Sequence, residues 1–275
     1  MEYKFLDNSI DVENIVLPAS DKINTYLQKN NYAEIIKGID FLSSEENVLH
    51  IYGFLGTGKR QYINYISEFT SNEVIRLEYY CKTSTVCDDI LLGFIDYLEN
   101  TALKTQSVNA KITTLSIKFQ QLVTTTNKPF LIILHSFDDV TEENKELICS
   151  CLNKIQKAPN AKIIVSTRAM TPGILNDLKT DRKILLKALT KENFIEYLKS
   201  CKITSDDGTL ETFYKVTRGY YYYTALSVKI VQALKISLSE FISNYSKTGT
   251  DFDTYLGKEY INLIPATIRN FFWFL

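Results

Sequence analysis

The stretch Gly53-Phe-Leu-Gly-Thr-Gly-Lys59 has the residue types and spacing to hold a phosphate group. It fills the first seven positions of the pattern GxxxxGK followed by Ser or Thr. Gly53, Gly56 and Gly58 let backbone N–H groups turn inward toward phosphate oxygens, with Thr57 between the last two. A helix starting directly behind the loop adds the positive end of its dipole. Lys59 then reaches the β- and γ-phosphates as a mobile point charge. The eighth position departs from the pattern. Where Ser or Thr would put a hydroxyl on Mg²⁺, the chain has Arg60, a side chain with donors only. Arg60 and Gln61 complete the candidate nucleotide-binding set at the start of the helix.

The elements around the loop supply the context that such chemistry needs. Val48 to Tyr52 reads as a strand entering the loop, and Tyr62, Ile63, Ile66 and Phe69 fall on one face of a helix leaving it. Upstream, residues 1–20 read as a loose lead-in and residues 21–43 as one or two helices. Downstream, strand and helix alternate. Glu73 to Tyr80 reads as a strand, and residues 85–100 and 111–125 read as helices. The apolar runs Phe130 to His135 and Lys162 to Arg168 read as strands buried on both faces. Residues 141–157 read as a helix capped by Thr141, with Asn144 in the position of a capping-box Glu, and a short helix follows Pro172. Arg182 to Leu189 is a last strand. The alternation predicts an α/β fold, a mostly parallel sheet flanked by helices, followed by a smaller all-helical domain. The boundaries read as 1–45 for the lead-in and first helices, 46–190 for the α/β domain, 191–256 for a helical lid and 257–275 for the start of a further domain.

The run FLIILHSFDDV resembles the strand-borne acidic motif of P-loop ATPases, in which the Asp at the strand end holds Mg²⁺. On that resemblance the metal-holding position falls on His135, while Asp138 and Asp139 match a second acidic pair and become the candidate catalytic carboxylates. A turn and helix-start role explains Asp138 and Asp139 equally well. Val48 to Lys59, Phe130 to Asp139 and Lys162 to Arg168 together resemble the nucleotide-binding core of the STAND class of signalling ATPases, the NACHT and NB-ARC proteins of immunity, cell death and bacterial regulation. The resemblance implies that Arg168, after Thr167, contacts the terminal phosphate. It also implies a helical subdomain with a Gly-x-Pro signature near the adenine; Gly219 matches it, and Tyr221 stands in place of the Pro. The resemblance further implies that residues 257–275 begin a winged-helix-like domain, and the apolar end NFFWFL leads to the expectation that the natural protein continues.

Composition limits the alternatives. The 275 residues carry 31 Lys and Arg against 32 Asp and Glu, a net charge of -1, which gives no global attraction for a polyanion. No apolar run reaches membrane-spanning length and no signal peptide is visible, so a cytoplasmic protein is expected. Cys81, Cys87, Cys149, Cys151 and Cys201 are odd in number and lack zinc-finger spacing, so free thiols are expected and no metal site.

With Arg60 and His135 at both magnesium-holding positions, the sequence predicts a module that binds ATP or ADP, holds Mg²⁺ poorly and hydrolyses slowly or not at all. Its nucleotide is expected between the α/β and helical domains, so that binding works a conformational and oligomerisation switch with self-association or a protein partner, for instance in defence signalling. Two other readings stay open. One is a DNA-associated AAA+ ATPase of the origin-recognition kind, which a basic stripe would favour and the dispersed Lys and Arg do not. The other is a pseudo-NTPase that serves only as a protein-interaction scaffold.

Overall fold

The computed structural model describes residues 4–5, 22–99, 115–168 and 178–263. In chain order its elements are α1 (Lys22–Asn30), α2 (Tyr32–Ser43), β1 (Val48–Tyr52), α3 (Lys59–Ser67), β2 (Ile75–Tyr80), α4 (Cys87–Tyr97), α5 (Leu115–Thr125), β3 (Phe130–His135), α6 (Glu142–Ile155), β4 (Ala161–Thr167), β5 (Arg182–Leu185), α7 (Lys191–Ser200), α8 (Asp207–Thr217), α9 (Tyr221–Leu234), α10 (Leu238–Thr248) and α11 (Phe252–Leu263). The chain forms two compact units. Among the described residues, one comprises 4–5, 33–54, 59–99, 115–168 and 178–186, and the other 22–32, 55–58 and 187–263.

The first unit is built on a five-stranded sheet in the order β2-β3-β4-β1-β5, every neighbouring pair parallel. All residues of β3 and β4 are buried, which is why both carry continuous apolar runs, Phe130 to Leu134 and Ile163 to Val165. The edge strand β2 instead alternates, with Ile75 and Leu77 inward and Arg76 and Glu78 half-buried. Phe94, Phe119, Leu122 and Ile148 from α4, α5 and α6 close over Ile132 and Leu134. Each such side chain contributes about 1.5–3 kcal/mol of burial energy. Lys145 and Lys162 are the buried lysines among the described residues of this unit, and Lys145 reaches out to Glu142 on the surface. Lys162, at the start of β4, donates to the carbonyls of Ser44 (2.8 Å) and Glu46 (2.6 Å) and lies 4.7 Å from the Phe41 ring. Burial pushes its ammonium down to about 8. It serves as a cap for the chain leaving α2.

The second unit is helical. Phe194, Phe213, Phe241, Phe252 and Tyr255 form its aromatic centre, largely in edge-to-face and tilted pairs. Thr190, Asp206 and Ser237 cap α7, α8 and α10 by accepting backbone N–H groups three residues on. Gly219 follows α8 with φ +65, and a Cβ there would stand 2.7 Å from the Leu189 carbonyl oxygen. Only glycine fits that turn.

Several expectations are corrected. Of the described residues in the expected 1–45 segment, α1 clusters with the helical unit and most of α2 with the sheet, so these two helices do not share a unit. A helical face declares that it needs a partner but not which one. The expected boundary at 256 falls inside α11. Thr141 occupies the cap position of α6, yet its hydroxyl accepts from the Asn144 side chain (3.0 Å) and not from the backbone. The helix expected after Pro172 and the start of a winged helix lie outside the described residues. Among the described residues no helix is long and apolar enough to cross a membrane.

Candidate functional site

All five strands are parallel, so their C-terminal ends share one side of the sheet. From β1 the chain crosses to β2 and returns through β3 and β4 before β5 lands on the other side of β1. In open α/β sheets ligands bind outside the carboxyl ends of strands at such a reversal. The loop Gly53–Lys59 leaves β1 at that point.

Gly56 and Gly58 adopt φ +82 and +88, a region that residues with a Cβ seldom enter. These two positions turn the loop's peptides. Residues 55–58, the tip of the loop, belong to the helical unit. There the Gly56 carbonyl accepts the Tyr222 N–H (3.1 Å), and Leu27 and Tyr221 crowd Gly58. Thr57 is buried. Lys59 opens α3, and its Nζ donates to the carbonyls of Gly53 (2.7 Å) and Phe54 (3.0 Å). Burial pushes the ammonium down to about 8, with Asp138 opposing the shift and Arg168 adding to it. Lys59, Asp138 and Arg168 thus share one electrostatic neighbourhood.

After β3 the chain turns at Ser136, held at φ 53 and ψ 40, into a single 3-10 turn, Phe137–Asp139. That left-handed residue aims two carboxylates at the end of β4. Arg168 donates through Nε to Asp138 (2.5 Å) and through Nη2 to Asp139, while its backbone N–H also reaches Asp138 (3.1 Å). These pairs hold the guanidinium charge and raise its pKa further. The arginine expected at the terminal phosphate and the carboxylates expected in catalysis are therefore partners of one another here.

Arg60 and His135 meet in a second cluster. The Arg60 guanidinium lies 4.7 Å from the centre of the Tyr80 ring, and Tyr80 stacks on His135 at 4.5 Å and 9°. His135 Nε2 is 2.6 Å from Glu78 Oε1, which also accepts from the Tyr80 hydroxyl (2.8 Å). Arg76 pairs with Glu78 (2.9 Å) and donates to Asn64 on α3 (2.7 Å). Burial lowers the His135 pKa despite Glu78. Burial of Glu78 is outweighed by Tyr80, Arg76 and His135, so its carboxyl is held below the usual range. Sequence reasoning missed Arg76, Glu78 and Tyr80. Their signal was the polar alternation along β2, one face at every second residue.

Tyr221 is buried at the start of α9, its hydroxyl donating to the Tyr26 carbonyl (3.1 Å). Tyr222 beside it is 55% exposed. Gln61 is exposed on α3. Among the described residues no group of three or more His, Cys, Asp or Glu could hold a metal ion.

A parallel sheet, a glycine loop after its first strand and a lysine opening the next helix define the architecture. The fold is that of a P-loop NTPase. No family model matches the chain, and no curated protein matches it. Among solved structures it is similar to a Walker-type ATPase of Pyrococcus abyssi (12% identity, TM-score 0.47, covering 93% of this chain and 75% of that one). It is also similar to the ORC1 protein of Aeropyrum pernix in complex with DNA (11%, 0.49, 90% and 71%) and to a RuvB variant of Thermotoga maritima (14%, 0.46, 92% and 75%).

His50 braces the site from β1. Its Nε2 is 2.8 Å from the hydroxyl of Thr167, next to Arg168. Burial, helped by Lys183 and opposed by Asp138, pushes the imidazole down to about 4. Below pH 6.5 the unfolded chain takes up a proton that the folded chain refuses until about pH 4. Stability from this residue therefore falls as pH drops through that window, by up to about 3 kcal/mol, and is unaffected above it. Urea unfolding followed from pH 7 to 4 should show the decline, and His50→Gln should flatten it. An unchanged slope in the variant would refute the assignment.

Proposed function

We propose that this chain is a cytoplasmic nucleotide-binding module that takes ATP or ADP on the Gly53–Lys59 loop, holds Mg²⁺ poorly and hydrolyses slowly or not at all. The observation that carries the reading is the loop itself. Its glycines take the positive φ values that a phosphate cradle requires, and it is followed at once by Lys59 and a helix N-terminus. Bound Mg²⁺ would supply charge neutralisation on the phosphates. The residues at its two expected positions do not suit it. Arg60 has no acceptor and lies against Tyr80, and His135 is engaged by Glu78. Arg60 and Lys59 instead bring positive charge to the phosphates. Arg168 would leave Asp138 and Asp139 to reach a terminal phosphate, which supports a conformational response to ligand. The further step, that this response drives self-association as in STAND proteins of the NACHT kind, rests on the motif residues Lys59, Asp138, Asp139 and Arg168.

The deciding experiment is nucleotide titration calorimetry of the purified chain with Mg²⁺ and with EDTA, alongside a phosphate-release assay. Affinity should change by less than about threefold between the two conditions, and turnover should stay below roughly one per second, the low end for phosphoryl-transfer enzymes. Magnesium-dependent turnover at or above that rate, lost in Lys59→Ala, would reject slow hydrolysis.

One observation favours the scaffold reading. Lys59 Nζ is already satisfied by two carbonyls of its own loop. Under that reading ATP, ADP, GTP and dATP all fail to shift the melting temperature, whereas binding at 100 times Kd adds about 2.7 kcal/mol.

A further inference from the structure

The two residues that depart from the metal-holding pattern meet on one ring. Arg60 and Asn64 stand four residues apart on α3 and so share a face of that helix. Arg76, Glu78 and Tyr80 stand at every second residue of β2 and share a face of the strand. These two faces engage each other. Arg76 donates to Asn64 (2.7 Å) and pairs with one oxygen of Glu78 (2.9 Å), and the other oxygen of Glu78 accepts the Tyr80 hydroxyl (2.8 Å). His135, in register beside Tyr80, stacks on its ring at 4.5 Å and 9°. The ring is thereby fixed at its hydroxyl and on its face, and the Arg60 guanidinium lies 4.7 Å from its centre. Arg76 and Arg168 already direct N–H groups at carboxylates. Among the described residues Arg60 is bound to no carboxylate, and it stands exposed directly after Lys59.

Resting on the reading of the loop as a nucleotide site, the geometry points to Tyr80 as a positioning residue that holds Arg60 as a fixed cation for nucleotide phosphates. In the metal-holding pattern, positions 60 and 135 serve one ion between them. Here the same two positions are joined by an aromatic ring, which attracts a cation to its face, and the cation is a side chain of the protein itself. A long arginine gives up rotamer freedom when it grips an anion. Contact with Tyr80 restricts Arg60 before the anion arrives, so less freedom is lost on binding. A guanidinium against a ring face still presents N–H groups to phosphate oxygens. His135 and Glu78 act one step further back, by keeping the ring in place. The ligand class that follows is a nucleoside di- or triphosphate for which a divalent ion is dispensable.

Calorimetric titration of the full chain with ATP and with ADP in EDTA tests this as a double-mutant cycle. Arg60→Met should weaken binding about tenfold, the loss of one charged hydrogen bond. Tyr80→Leu should weaken it about two- to fivefold, while Tyr80→Phe, which keeps the ring, should bind as the wild type does. In the Arg60→Met background Tyr80→Leu should add nothing, a result that a merely structural tyrosine would not give. Tyr80 is 42% exposed and Arg60 is exposed too, so neither substitution opens the core, and melting temperatures check this. The Arg60→Met arm decides even where Tyr80→Leu folds poorly. Unchanged or tighter binding by Arg60→Met, with Lys59→Ala still weakened, overturns this proposal and leaves the nucleotide reading standing. A Tyr80→Leu loss that persists at full size without Arg60 overturns the positioning role. A wild-type chain that binds neither nucleotide overturns both.

Discussion

Lys59→Ala should weaken nucleotide binding by about 10- to 150-fold. Hydrogen bonds to charged groups contribute about 1.5–3 kcal/mol, and each 1.4 kcal/mol is tenfold in affinity. The estimate belongs in that range because Lys59 Nζ must first leave the carbonyls of Gly53 and Phe54. The gain at the phosphates is therefore partly offset by what is given up on the loop. The buried ammonium, held near 8, adds a second signature. Binding by the wild-type chain should weaken as pH rises past 8 and the charge is lost, and Lys59→Arg, which stays charged, should not show that fall. Calorimetric titration of the three proteins between pH 7 and 9 measures both effects. A Kd for Lys59→Ala within about twofold of wild type would remove the lysine from the site, and the nucleotide reading with it.

His135→Asp should destabilise the fold by about 2–4 kcal/mol at neutral pH. The substitution restores the carboxylate that the strand-end motif normally carries, but it sets that carboxylate against Glu78, now 2.6 Å from the imidazole. Two like charges about 4 Å apart repel by about 4 kcal/mol at an effective dielectric of 20. The stack on Tyr80 is lost as well. The sign with pH follows. The new carboxyl has a folded-state pKa raised by Glu78, so the penalty is present at neutral pH and relaxes as acid protonates the pair. Mg²⁺ should relieve it in the same way by bridging the two carboxylates, raising the melting temperature of the variant and leaving the wild type unmoved. Thermal melts at pH 5 and 7, with and without Mg²⁺, settle the point. A variant as stable as wild type at pH 7 would show that Glu78 and position 135 are not coupled.

The sheet was readable because burial writes itself into composition. Residues 130–135 and 161–167 are covered on both faces, and the unbroken apolar runs Phe130 to Leu134 and Ile163 to Val165 record it. The loop was readable because phosphate chemistry demands glycine at particular offsets. What the sequence hid were neighbour relations. Glu78 and Tyr80 matter only because β2 lies beside β3, with Tyr80 in register with His135. Nothing in either segment names the other. The pairing of Arg168 with Asp138 and Asp139 was hidden for the same reason, since all three residues were identified but the arginine was given one task and the two carboxylates another. Tyr221 and Tyr222 differ in burial, 5% against 55%, because one side of α9 meets α1. A run of four tyrosines conceals that asymmetry.

The hydrogen bond from the Tyr222 amide to the Gly56 carbonyl gives the protein a built-in reporter. A peptide plane at the loop's tip cannot flip without releasing that proton to solvent. Deuterium uptake at this single amide therefore reports each opening of the contact between the loop tip and the first turn of α9, and it does so without any label on the loop.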